Sequence, residues 1–380
     1  MLHERVNSAA AVSSNRPLIV PVYIPHRGCP HRCIFCDQHR LTGHNKAAKP
    51  EDVARWVAWY RTAARVDRRS TVEIAFYGGS FTALPQDVQQ DYLDAASNQV
   101  RQGMAHSIRI STRPDAIDGW TITRLKDAGV AVVELGVQSM DDGVLRAARR
   151  GHTAEDVRRA ITMLKEAGFR VGIQLMPGLP GDTLNTGIRG VQELIRLGPH
   201  MARLYPVLVI TGTELERLWR EGRYRALQVS EAVHWCACLL LLLETGGVPV
   251  IRAGIHVSPE MVQENSVAAG PLDPALRHRV ESFIYFSLAH FLLEPRASSA
   301  PEMNIRVPPA DVSHMKGFRS ENIRELERRL SVRVRVSPDA SLPPRSMALE
   351  GEDPIIRDKN HLSLLLHMNH HALLRKFASV

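Results

Sequence analysis

"LIVPVYIPHRGCPHRCIFC", residues 18–36, decides how the rest of the chain is read. Its first seven residues, Leu18–Ile24, are apolar on both faces and rich in β-formers, as a buried strand of a parallel sheet should be. The loop that follows carries Cys29, Cys33 and Cys36 within eight residues, in a chain of 380 residues with only five cysteines. A strand that ends in three thiols puts chemistry at a strand C-terminus, where α/β folds build their sites.

Composition narrows what those thiols can be. With 44% hydrophobic and 23% charged residues the chain is globular, and 380 residues suffice for one large α/β domain with appendages, or two domains. No apolar run reaches 18 residues; the longest lies around Leu239–Leu243, too short to span a bilayer. The leader MLHERVNSAAAVSSNRP is polar and has no apolar core, so it is not read as a signal peptide. A reducing cytoplasm is therefore expected, and clustered cysteines there are metal ligands or catalysts rather than disulfides. The formal charge of +8 is compatible with a polyanionic partner, but it is spread along the chain as in any basic soluble enzyme.

Outward from the first strand, strands and helices alternate about six times. Strands are expected at Val72–Gly79, Ser107–Thr112, Val130–Gln138, Arg170–Met176 and Ala202–Ile210. Helices are expected at Pro50–Arg65, Leu84–Val100, Ile117–Ala128, from the capping-box pair Thr153 and Asp156 to Gly168, and at Leu184–Leu197. Such alternation means parallel strands with helical crossovers. Polar or glycine-rich loops follow five strands: the cysteine loop, GGSFT (78–82), STRPD (111–115), QSMDD (138–142) and PGLPGDT (177–183). Five such loops aimed at one mouth predict an α/β fold, a partial (β/α)6 TIM-like barrel, with a mixed α+β C-terminal extension. Beyond Ile210 the pattern changes, with helices expected at Val229–Leu243, from Ser258–Pro259, at Arg277–Leu293 and Ser320–Leu330, and a short strand at Pro249–Ile255. The expected organisation is a flexible leader (1–16), a barrel core (17–215), an extension packed on it (216–336), and a loose linker with a terminal helix (337–380). The Pro- and Gly-bearing stretch Ser337–Asp353 supplies the linker.

Three chemistries suit the cysteines. A structural zinc site would recruit His26, His31 or His39 as fourth ligand, although fingers and ribbons take ligand pairs from two separate turns. A redox pair would read Cys33 and Cys36 as C-x-x-C and leave Cys29 unexplained. An iron–sulfur cubane normally takes four thiolates, so three would leave one iron open to a substrate or cofactor.

The spacing C-x-x-x-C-x-x-C after the first strand resembles the signature of radical S-adenosylmethionine (SAM) enzymes. The resemblance implies a [4Fe–4S] cluster on Cys29, Cys33 and Cys36, whose open iron chelates SAM and whose electron cleaves it to a 5′-deoxyadenosyl radical that abstracts hydrogen from a substrate. It implies further that Gly78, Gly79, Ser80 and Phe81 receive the methionine amino group, that Phe35 lies near the adenine, and that Ser111, Arg113, Gln138 and Ser139 lie near the ribose. Gln174 and Met176, at the fifth strand, fall near the adenine. A one-electron donor such as flavodoxin or ferredoxin is implied as partner. FYGGSFT, STRPDAID, ELGVQSMDDGVL, RRGHTAEDV and LMPGLPGDT, over about Pro21–Glu214, resemble the radical domain of the Elongator catalytic subunit, with tRNA as the substrate class so suggested. GVQS and GLPG also resemble oxygen-independent coproporphyrinogen oxidases, which would make a porphyrin-like small molecule the alternative. Further along the chain, LYPVLVITGTELERLWREGRY and IRAGIHVSPE resemble a bacterial subgroup of Elongator-type proteins; no acetyl-CoA signature is visible after Ile210 and the cysteine spacing is shorter than the Elongator subunit's, so acetyl transfer is not expected.

Other candidates have plain readings beside functional ones. Cys236 and Cys238 lie on an apolar helix and read as small core residues. His361, His367, His370 and His371 belong to an amphipathic C-terminal stretch. Arg146, Arg149, Arg150, Arg158 and Arg159 form a basic cluster that reads as a solvated face or an RNA-facing patch. Tyr77, Glu134, Tyr205 and Arg252 fall at strand positions and either meet a substrate or, for Glu134, pair within the core.

Overall fold

Among the described residues the first strand is paired on one side only, and its sequence says why. β1 (Leu18–Tyr23) carries Pro21, which has no N–H to give to a second neighbour, so a place at the sheet edge costs it nothing. Its burial alternates accordingly, with Val20 and Val22 inward and fully covered, whereas the sequence alone suggested cover on both faces. The computed structural model describes residues 17–24, 27–30, 32–38, 40, 47–64, 71–255, 266–298, 300–357, 361 and 365–366.

From that edge the sheet grows strand by strand through β2 (Val72–Tyr77), β3 (Ser107–Thr112), β4 (Val130–Gln138), β5 (Arg170–Leu175) and β6 (Met201–Leu204). The crossover helices are α1 (Asp52–Ala63), α2 (Gln86–Arg101), α3 (Gly119–Asp127), the short α4 (Asp142–Ala147) with α5 (Ala154–Glu166), and α6 (Leu184–Leu197). Helical crossovers of this length return the chain in the same direction, and every adjacent pair is parallel. The helix starts follow side-chain chemistry. Asp118 accepts from Thr121 N, so α3 begins at Gly119 rather than at Ile117. Thr153 and Asp156 close the expected capping box. Helix α5 turns Ala154, Val157, Ala160, Ile161 and Leu164 inward, the spacing of one helical face.

The expected sixth strand, Ala202–Ile210, is two. Pro206 interrupts it, leaving β6 and the two-residue β7 (Val209–Ile210). After α7 (Glu214–Arg220) and α8 (Val229–Thr245), β8 (Val250–Ala253) pairs in parallel with β6. Among the described residues the sheet thus has seven strands in the order β1-β2-β3-β4-β5-β6-β8, curled into a half-barrel whose first and last strands do not pair. The seventh strand comes from the segment expected to be extension, because Pro249–Ile255 is too short to show which sheet it joins. β7 pairs antiparallel with β9 (Val267–Ala269).

Helix α8 is buried nearly all round because it lies between α6 and α9 (Leu276–Leu293), which is also buried on most sides. A mixed four-stranded sheet covers α9 together with α10 (Val312–Lys316) and α11 (Glu321–Leu330). Its strands are β10 (Glu302–Val307), β11 (Arg333–Pro338), β12 (Ser346–Leu349) and β13 (Ile355–Ile356), in the order β11-β10-β12-β13. The stretch Ser337–Asp353, expected as loose linker, therefore holds a buried strand; four covered residues between Pro and Gly are too few for a period to emerge. One apolar core runs without a break from Val20 in β1 to Met303, Ile305 and Met347 in this sheet. Cys236 and Cys238 lie inside it, fully buried. Among the described residues no helix is long and apolar enough to cross a membrane. The leader, the expected helix from Ser258, and His367, His370 and His371 lie outside the described residues.

Candidate active site

The three cysteines lie at the C-terminal mouth of the half-barrel, and the loop that carries them is tied down by its backbone. Ile24 N donates to Tyr77 O (2.8 Å), Ser80 N to Arg27 O (3.0 Å), and Leu215 N to Ile34 O (2.8 Å). Ile34 and Phe35 sink into a small apolar cluster with Val144, Ala148, Leu179, Val207, Val209, Leu215 and Tyr224, against which Cys33 and Cys36 rest. The turn after β2 fits the loop through glycine. A Cβ on Gly79 would stand 2.4 Å from Arg27 O, and one on Gly28, at φ +71°, would stand 2.1 Å from Ser80 O. GGSF and the cysteine loop are thus packed backbone to backbone.

Together they open on one cavity of about 360 Å³. Of the residues singled out from the sequence, Cys29, Cys33, Phe35, Cys36, Gly78, Gly79, Ser111, Arg113, Gln138, Gln174 and Met176 line it. Ser80, Phe81 and Ser139 do not. Ser80 is buried behind the wall, where its Oγ lies 3.1 Å from Thr112 Oγ1 and accepts from Arg113 N (3.3 Å). Phe81 packs on Phe76 and Tyr92 in the core. Ser139 faces a small side pocket with Asp182 and Thr186. PGLPGDT serves the turn into α6: Asp182 accepts from Gly178 N (3.0 Å) and Thr186 Oγ1 (2.7 Å).

Arg150 is the residue the sequence reading missed. It is buried rather than part of a solvated face. Its Nη1 lies 3.2 Å from Cys33 Sγ, its Nη2 donates to Gly136 O (2.7 Å), and its Nε has no partner. The signal was Gly151, which at φ +72° turns the chain between α4 and α5 and carries Arg150 inward. Arg113 lies nearby, held by both oxygens of Asp115 (2.9 Å each). Burial and the neighbouring Cys33 raise the Cys29 thiol, while Arg113 and Arg150 oppose the rise. Burial, then Cys33 and Cys29, push Cys36 up to about 12. Thiols raised in this way, as Cys29 and Cys36 are, release their protons when a metal takes the charge.

Below the thiols the cavity wall is polar. Glu134 on β4 accepts from Arg109 Nη1 and from Arg203 Nε (2.6 Å) and Nη2 (2.9 Å), and Arg109 Nε also donates to Glu73 (2.7 Å). Gly172 makes this reach possible, since a Cβ there would meet Glu134 Cγ at 3.0 Å. Arg203 further donates to Tyr205 OH (3.1 Å) and Tyr77 OH (3.3 Å). Both readings of Glu134 hold: it pairs within the barrel and lines the cavity.

The donor set fits an iron–sulfur cubane and its organic ligand. Three free thiols share one wall, two arginines stand beside them, and the buried Gln138 Oε1 has no partner. Gln138 itself sits at φ +66°, a backbone cost that non-glycine residues bear where a site requires it. Among the described residues no three His, Cys, Asp or Glu side chains are grouped as one metal ion would need, and a cubane spreads its thiolates over different irons. His26, His31 and His39, the possible zinc ligands, lie outside the described residues.

Comparison with known proteins decides the family. Residues 23–188 match the radical SAM superfamily and residues 199–285 the radical SAM C-terminal domain. The chain belongs to the radical SAM superfamily. Members of the superfamily use a [4Fe–4S] cluster and SAM, and this chain has Cys29, Cys33 and Cys36 together in its N-terminal part, on the cavity wall. Within the superfamily it is similar to the tRNA uridine(34) acetyltransferase of Methanocaldococcus jannaschii, 29% identical over 57% of this chain and 47% of that protein. Elongator complex protein 3 of Homo sapiens is 29% identical over 58% of this chain and 48% of its own. The chain spans about half the length of the curated relatives it matches. The solved archaeal Methanocaldococcus infernus Elp3, with an N-terminal deletion, shares the fold with a TM-score of 0.57 at 23% identity, over 70% of this chain and 62% of that one.

Proposed function

We propose that this chain is a cytoplasmic radical SAM enzyme acting on tRNA, with Cys29, Cys33 and Cys36 as cluster ligands. The observation that carries the reading is that those three thiols line one cavity with Gly78, Gly79, Arg113 and Gln138. When bound, cluster and SAM supply a 5′-deoxyadenosyl radical that takes a hydrogen atom from a substrate. The chain's residues do the rest. Gly78 and Gly79 let the backbone come close to a ligand at the thiols. Phe35 and Met176 offer apolar contact for a flat ring. Ser111 and Gln138 offer hydrogen bonds to hydroxyls, with Gln174 further along the wall. Ser80 and Phe81 act from behind, by holding the glycine turn. Arg113 and Arg150 hold positive charge where thiolates gather. The apolar cluster beneath Ile34 and Phe35 keeps water from the far side of the loop. A one-electron donor such as flavodoxin or ferredoxin is the partner this chemistry requires. tRNA is supported by the relatives of Methanocaldococcus jannaschii and Dehalococcoides mccartyi, each a tRNA uridine(34) acetyltransferase; acetyl transfer is not part of the proposal.

The test is anaerobic reconstitution with iron and sulfide, reduction, and addition of SAM with and without tRNA. Wild type should bind about four irons per chain and form 5′-deoxyadenosine, faster with tRNA. Cys33→Ala should lose both. A reconstituted cluster with no cleavage under any condition would count against radical chemistry, and cleavage indifferent to tRNA would count against that substrate.

A further inference from the structure

Four arginines line the cavity and one carboxylate does, among the described residues. Three of the four are spoken for. Arg113 is held by Asp115, Arg150 lies against Cys33 and Gly136 O, and Arg203 is held by Glu134. Both oxygens of Glu134 are already used. Arg252, on β8, has no hydrogen bond or ion pair among the described residues. The parallel register sets Gln174, Arg203 and Arg252 side by side on β5, β6 and β8, and all three reach the same wall. Tyr205, whose hydroxyl already meets Arg203, stands at the end of that row. An unpaired guanidinium beside amide and phenol groups is the donor set that a planar or tetrahedral oxyanion recognises.

We propose that the substrate of this cavity carries an oxyanion, a carboxylate or a phosphate, that seats on Arg252 at the wall formed by the last strands. The substrate then lies between Arg252 and the thiols, with its reactive C–H toward the cysteines. This rests on the reading of the cavity as a reaction chamber and adds the chemical class of what enters it. Arg252 is a binding residue here, with no role in holding the cluster.

The experiment is isothermal titration of the full chain with three probes: inorganic phosphate, uridine 5′-monophosphate and succinate. The variants are Arg252→Gln and Arg252→Lys, with Arg55→Gln as a surface control, Arg55 being paired with Asp52 on α1. Expected is saturable binding of one probe per chain, weakened about tenfold or more by Arg252→Gln, partly restored in Arg252→Lys, and unchanged in Arg55→Gln. Phosphate-bearing probes alone would identify a phosphate source, and succinate alone an acid. Equal binding in wild type and Arg252→Gln, or no saturable binding of any probe, would overturn the proposal. Thermal melts of each variant check that it is folded. Iron content after reconstitution separates the two readings. Arg252-dependent binding in a chain that takes no cluster would sink the radical reading and keep this one; a full cluster with Arg252-independent binding would do the reverse.

Discussion

At the scale of single residues, the cysteine motif was legible because three thiols in eight residues have few other uses. The glycines around it have a structural use that the sequence did not show. GGSF was read for its approach to a ligand, while the contacts show Gly79 equally required against Arg27 O. Gly79→Ala should therefore destabilise the fold by about 2 kcal/mol, since backbone must move to admit the methyl. Gly119→Ala, where a Cβ meets nothing, should be neutral or slightly stabilising; urea midpoints compare the two. Arg150 was not legible, since nothing in RRGH tells an inward arginine from an outward one until Gly151 is seen to turn the chain. His152 beside it was missed too. Buried, with Nε2 against Val137 O (3.1 Å), it is held down at about 4, first by burial and then by the Arg150 charge. Its unfolded value is about 6.5. The unfolded chain thus binds the extra proton between those values, so stability is full above about pH 6.5 and falls as pH drops toward 4. The loss is at most about 3 kcal/mol. His152→Gln should flatten the difference between urea midpoints at pH 7 and pH 5; an undiminished difference would assign the loss to other groups.

At the scale of elements, helices and strands of the barrel were readable from period and caps, and the misses were short pieces. The two residues of β7, the four of β8 and the four of β12 carry too little pattern to show a partner. Nor does sequence show that four strands meet through charge. Glu73 on β2, Arg109 on β3, Glu134 on β4 and Arg203 on β6 link in one chain, because Gly172 on β5 leaves the gap that Glu134 crosses. Removing its centre leaves the half-buried Arg203 without a carboxylate. Glu134→Ala should cost about 3–5 kcal/mol, and Glu134→Ala combined with Arg203→Met should recover much of it. Thermal unfolding of both variants reads this; equal loss in single and double would mean that the cavity left behind, rather than the stranded charge, is responsible.

At the scale of the whole molecule, the half-barrel was foreseeable from strand–helix alternation, but the unity of the chain was not. The sequence changes character after Ile210, yet the apolar core continues into the C-terminal sheet, and among the described residues three ion pairs fasten the seam. Arg345 meets Glu244 on α8, Arg357 meets Glu281 on α9 (2.6 Å), and Arg296 meets Glu352 (2.9 Å). The chain should therefore melt in one transition by circular dichroism. Truncation after residue 298 should lower the midpoint of what remains by many degrees, because it bares α9; two separated transitions in the full chain would contradict this. Among the described residues the sheet begins at the Pro21 edge and ends at β8 without meeting itself, which bears on what size of molecule can be served. A closed ring admits only what passes down its axis. A ring with a missing stave takes its guest sideways, so the middle of a long molecule reaches the thiols with no free end to thread.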